Sequence, residues 1–191
     1  MNLSELRSKS GGFTLVELLV GILLSGIVLA GLYGVFVSQQ RAFSAQERVA
    51  EMNQNIRAAM DLMTREIRLA GYKTSTATFT GIATAQASTI QVLADLNQDG
   101  DTADSNEDIT YSYNAGTLQI WRNSASFPIA ENITSLGFTY RDANNNITAT
   151  LANIRKVTLS ITARTAYPDP ATGQYRSITL TSDVTPRNLA S

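Results

Sequence analysis

Two places in this chain put carboxylates where they can do chemistry. The first is Glu17, the single charged residue in the otherwise apolar stretch 13–37. A charge at bilayer depth costs about 3 kcal/mol or more, so an ionisable residue there marks a functional site by default. The second is the run Asp95-Leu96-Asn97-Gln98-Asp99-Gly100-Asp101, with oxygen donors at alternate positions and a glycine where an EF-hand loop turns sharply. The twelfth position of that pattern is Asn106 instead of a bidentate glutamate, and Glu107 and Asp108 follow it. The candidate oxygen cage is therefore Asp95, Asn97, Asp99, Asp101, Asp104 and Glu107, with Asp108 as a further donor, and its expected ion is Ca²⁺. The same residue types also form solvated hairpin tips, so the sequence requires no cofactor.

Composition removes most other chemistries. The chain has 191 residues, no cysteine and no histidine, so zinc-finger, thiol-nucleophile and Ser-His-Asp arrangements lack their parts. A formal net charge of -1 gives no broad surface for nucleic acid. No P-loop is present. Acid pairs able to act on glycosides gather at one turn with no sign of a cleft. A tethered glycan-binding or hydrolytic β-domain is thus the weakest reading, and an enzyme is not expected.

The elements that must position these residues follow from the apolar pattern. As a helix, 13–37 spans roughly 37 Å, enough for a hydrocarbon core of about 30 Å. Arg7 and Lys9 precede it, which predicts an N-terminus held in the cytoplasm and a C-terminal part outside. The small pair Gly11-Gly12 lies before the apolar region, so a cut there leaves the hydrophobic helix on the mature chain, unlike an ordinary secretory signal. Within the helix Gly21, Gly26, Gly31 and Gly34, with Ser25 and Ala30, permit close helix approach or simply reflect glycine's frequency in membrane helices.

From 38 to 70 the pattern turns amphipathic, with Val49, Met52, Ile56, Met60, Met63 and Ile67 at spacings of three and four. Arg57–Asp61 and Asp61–Arg65 have the spacing of supporting ion pairs, and Gly71 is a helix stop. No proline interrupts 13–70, which predicts one helix. Alternation predicts strands at 89–93, 109–113, 117–121, 135–141, 155–165 and 174–183. Asn114-Ala115-Gly116 is the predicted hairpin loop between the second and third of these, and 142–146 turns a later one. Trp121 and the tyrosines read as packing residues. The fold class is α+β: a long N-terminal helix, transmembrane then amphipathic, packed against an antiparallel β-sheet domain. The predicted organisation is a leader at 1–12, a membrane or filament-core helix at 13–37, its amphipathic continuation at 38–71 and a β-rich head at 72–191.

Gly12-Phe13-Thr14-Leu15-Val16-Glu17, after a short basic leader and before an unbroken apolar helix, resembles the N-terminus of type IV pilins and of the pseudopilins of type II secretion. The stretches 32–41, 51–72 and 129–133, and the closing Arg187-Asn188, are similar to PilW-type minor pilins; J-type pseudopilins share the plan. The resemblance implies cleavage between Gly12 and Phe13 by a prepilin peptidase that also N-methylates the Phe13 amine. It implies that Glu17 pairs with its own terminus or with the amine of a neighbouring subunit. It further implies a non-enzymatic subunit of the inner membrane of a Gram-negative bacterium. The head would be periplasmic, then carried on an extracellular pilus for motility, adhesion or DNA uptake. The implied partners are the peptidase and methyltransferase, other minor and major pilins, the inner-membrane assembly platform and the membrane itself.

Overall fold

The computed structural model describes residues 12–74 and 77–189. The leader at 1–12 is represented only by Gly12, so Glu5, Arg7, Lys9 and Gly11 lie outside the described residues. The chain divides into two units, one up to Ser44 and one from Ala45 onward, and helix α1 (Leu15–Leu69) runs through both. No proline or capping glycine interrupts it, and Gly71 at φ 81° ends it as a left-handed C′ residue.

In the first unit the helix stands alone. The large apolar side chains from Phe13 to Phe36 are exposed, from 49% for Val20 to 84% for Phe13. It is long and apolar enough to cross a membrane.

In the second unit the C-terminal part of α1 buries the predicted stripe. Met52, Ile56, Met60, Met63 and Ile67 are buried, Ala59 joins them, and Val49 packs at the margin. The apolar face is therefore a core face, as the three-four spacing predicts. Neither Arg57–Asp61 nor Asp61–Arg65 forms an ion pair among the described residues. Exposed pairs of this kind hold little energy against side-chain entropy.

The β-domain contains two antiparallel sheets where the sequence suggested one. The first has the order β1 (Ile82–Ala85), β2 (Thr89–Leu93), β3 (Asp108–Asn114), β4 (Gln119–Arg122), β5 (Ser124–Ala130). The second has the order β6 (Ile133–Arg141), β7 (Lys156–Arg164), β8 (Ser177–Val184). Between them the chain turns at Glu131-Asn132, with Asn132 at φ 57°. Ile90, Val92, Ile109, Tyr111 and Ile120 of the first sheet join Leu136, Phe138, Val157, Leu159 and Ile161 of the second in one core with the helix.

Two strands, β1 and β5, were not foreseen. β5 is an edge strand whose side chains are mostly exposed, and it carries Pro128 opposite Trp121 between two register shifts. The hairpin loop lies at 115–118 instead of 114–116: Asn114 is the last residue of β3, and its Oδ1 accepts the Gly116 and Thr117 amides at 2.8 and 3.2 Å. The last strand starts at Ser177, because Asp169 accepts from the Ala171 amide at 2.9 Å and pairs with Arg176 at 3.0 Å to form a turn there.

A close backbone contact seats the helix end on the sheet. A Cβ on Gly81 would lie 2.4 Å from the Gly71 nitrogen, so only glycine fits. The Gly71 amide donates to the Leu93 carbonyl at 2.8 Å, tying the helix stop to the end of β2.

Candidate functional site

The N-terminal site is a helix start with a reciprocal cap. Thr14 Oγ1 accepts from the Glu17 amide at 3.2 Å, and Glu17 Oε2 accepts from the Thr14 amide at 3.5 Å. This is the capping box, with threonine at the N-cap and glutamate three residues on. Carboxylate and helix dipole thus face each other at the positive end of the helix. The sequence reading placed Glu17 by its spacing from Phe13; the T-x-x-E pattern was the available signal for Thr14. Phe13 lies beside this cap with its ring fully offered, and Gly12 has nothing within 4 Å of the position a Cβ would take.

One turn further, Ser25 Oγ donates to the Gly21 carbonyl at 2.7 Å, which removes its polar cost on an apolar face. Gly21, Ser25 and Gly26 share a shallow groove with Phe13, Glu17 and Leu18. A Cβ added at Gly21 or Gly26 would have nothing within 4 Å, so this face is open.

A second cluster, missed in the sequence, lies in the second unit. Glu66 of α1 receives Arg122 of β4 through Nε at 3.1 Å and Nη2 at 3.0 Å, a forked contact. Tyr111 of β3, fully buried, donates its hydroxyl to Glu66 Oε2. Burial first, and the Glu66 carboxylate second, push the Tyr111 hydroxyl well above the ordinary tyrosine range, so it stays a donor. The hydrogen bond to Glu66 in turn raises the Arg122 guanidinium. No local pattern announces such a cluster, since its members come from three elements.

The acidic loop joins β2 to β3. Asp95 is fully buried; its Oδ2 accepts from the Gly100 amide at 3.2 Å and from Thr74 Oγ1 at 3.4 Å, while its Oδ1 is buried without a donor. Glu107 is 2% exposed; its Oε1 accepts from the Leu96 and Asn97 amides at 2.7 and 3.0 Å, while its Oε2 is buried without a donor. Asp95, Asp99 and Glu107 each bring one carboxylate oxygen within 4.8 Å of the others. Asn97 Nδ2 bridges Asp99 and Asp104 at 2.8 Å each. The amide of Asp101 and the side chain of Asn97 hold the Asp99 carboxyl below its ordinary range. Asp101 points elsewhere, accepting from the Ala103 amide at 2.8 Å, and Asp108 accepts from Gln91 at 2.8 Å. The structure therefore gathers Asp95, Asp99 and Glu107, sets Asn97 and Asp104 beside them, and leaves Asp101 and Asp108 apart.

Residues 45–184 match the family described as prepilin peptidase-dependent protein B. Residues 7–33 match the prokaryotic N-terminal methylation motif. Among solved structures, a type IV-like pilin from Thermus thermophilus aligns at 15% identity with a TM-score of 0.47, covering 72% of this chain and 98% of that one. No curated protein matches.

Proposed function

The chain belongs to the prepilin peptidase-dependent protein B family, within the type IV pilins, and from that premise we propose that it is a minor type IV pilin of the PilW type. Prepilin peptidase processing and pilin assembly belong to the family; the finer roles of particular residues are the proposal. The peptidase cuts between Gly12 and Phe13, and Phe13 is N-methylated. The new amine then stands at the helix start beside Glu17, where a carboxylate and an ammonium neutralise each other more cheaply than either is buried alone.

The single observation that carries this reading is the uncovered apolar half of α1, with Glu17 its only charge, at the amino end. Sixteen large apolar side chains between Phe13 and Phe36 face outward. In the membrane, lipid covers them; in a filament, helices of other subunits do. Glu17 rewards the arrangement in which its carboxylate meets an amine, its own or a neighbour's, and so selects an axial register. The subunit is structural. It primes filament growth with other minor pilins, near the tip, and the head supplies the outward surface for motility, adhesion or DNA uptake.

The test begins with filaments sheared from the native host, with and without a deletion of the gene. Mass spectrometry quantifies this chain against the major subunit and reads its N-terminus. A small amount of N-methylated Phe13 peptide in pili, with piliation lost in the deletion and restored by the wild-type gene but not by Glu17→Val, is the expected result. Normal pili lacking this chain, together with a secretion defect in the deletion, would overturn it in favour of a J-type pseudopilin.

A further inference from the structure

The loop between β2 and β3 holds more negative charge than its own hydrogen bonds account for. Asp95 and Glu107 are each anchored by one oxygen to backbone amides, and each leaves its second oxygen buried and bare. A buried carboxylate oxygen without a donor is among the costlier defects a fold can carry, and Asp95 and Glu107 bring carboxylate oxygens within 4.8 Å of each other, where like charges repel. Asp99, exposed, closes the same space from the solvent side. An ion that accepts oxygen ligands would supply the missing partner to both buried oxygens at once.

We propose that this loop binds one Ca²⁺ ion, with Asp95, Asp99 and Glu107 as direct protein ligands and water in the remaining positions. Ca²⁺ takes six to eight oxygens at 2.3–2.6 Å, which places neighbouring ligands roughly 3.4 Å apart and opposite ones roughly 4.8 Å apart. Three oxygens that all lie within 4.8 Å of one another fit around one such centre. Mg²⁺ demands a near-ideal octahedron at about 2.0 Å. Carboxylates tethered through one oxygen to fixed amides do not close to that radius easily. Asn97 acts at one remove: it bridges Asp99 to Asp104 and so orients the exposed ligand.

The ion would lock a junction. The Asp95 amide donates to the Tyr72 carbonyl at 2.7 Å, just past the helix stop, and the Ala94 amide donates to the Glu107 carbonyl at 2.9 Å. A cation on Asp95 and Glu107 therefore pins the end of α1 to the adjoining ends of β2 and β3. The proposal does not depend on the pilin reading, because the loop lies wholly within the head.

The test uses the full chain in detergent micelles, stripped with chelator and titrated with CaCl₂ by calorimetry and by thermal unfolding, with MgCl₂ in parallel. The expected result is saturable heat with Ca²⁺ and a midpoint that keeps rising with ion concentration above Kd. Asp99→Ala, at an exposed position of the loop, should weaken Ca²⁺ at least tenfold. Glu107→Gln keeps an acceptor for the two amides; it should abolish the shift while leaving the ion-free midpoint unchanged or higher. Asp183→Asn, on the other sheet, should leave Ca²⁺ affinity as it is. The proposal is overturned by no heat and no shift at about 10 mM Ca²⁺, beyond the weakest extracellular modules. It is overturned equally by unchanged binding in Asp99→Ala, or by an equal shift with Mg²⁺.

Discussion

Glu66→Ala should destabilise the head by about 4 kcal/mol. Removing one partner of a buried charge pair costs about 3–5 kcal/mol. Here the Glu66 and Arg122 side chains are 16% and 21% exposed, so water reaches the freed guanidinium and the lower end, about 3 kcal/mol, applies. The Tyr111 hydroxyl is different. It is fully buried and loses its acceptor, which adds about 1 kcal/mol or more. Tyr111→Phe alone removes donor and hydroxyl together and should cost about 2 kcal/mol. In the double variant no hydroxyl is orphaned, so the two losses should fall short of additive by about 1–2 kcal/mol. Urea unfolding of the full chain in micelles measures all three, because Trp121, the chain's one tryptophan, sits beside Arg122 in β4 and reports on the head. A cost below about 1 kcal/mol for Glu66→Ala, or strict additivity in the cycle, would refute the reasoning.

Three further outcomes are expected. Gly81→Ala drives a methyl onto the Gly71 backbone and should cost about 3 kcal/mol, read as a lowered urea midpoint; a loss below about 0.5 kcal/mol would show that the helix end yields freely. Ile56→Ala, in the core, should cost about 3 kcal/mol, whereas Ile27→Ala should leave head unfolding within about 0.5 kcal/mol, both read by Trp121 fluorescence. Above about pH 10 the unfolded chain releases tyrosine protons that the folded head retains on Tyr111 and Tyr140, both raised chiefly by burial, so stability should fall as pH rises; Tyr111→Phe should flatten that slope in pH-dependent urea titrations.

The helix was legible because its determinants are local: no proline, an apolar stripe at 3.6-residue period, and a glycine at the stop. The alternating runs in β2, β3, β6 and β7 were legible for the same reason. β5 was not, since Ser-Ala-Ser-Phe-Pro-Ile-Ala neither alternates nor avoids proline, and it becomes a strand only because β4 offers it an edge. The split into two sheets rests on the turn at Asn132 and on contacts across the core, neither of which leaves a periodic trace. For the acidic loop, the ligand types were readable but the converging set was not. That depends on Glu107 being drawn inward by the Leu96 and Asn97 amides, while Asp101 is taken by a neighbouring turn.

The sheet edges carry a consequence for any subunit stored at high density before it polymerises. An open strand edge invites pairing with another chain, and that route leads to amyloid-like aggregates instead of ordered fibres. On β5 the proline supplies no amide hydrogen and two register shifts disturb the ladder, so a foreign strand finds no regular template. The outer edge of β6 is already engaged, with the Phe138 amide donating to the Ala87 carbonyl and the Ile133 amide to the Leu118 carbonyl, both at 2.8 Å. Strand pairing through these two edges is therefore disfavoured, which leaves the uncovered apolar part of α1 as the more adhesive surface.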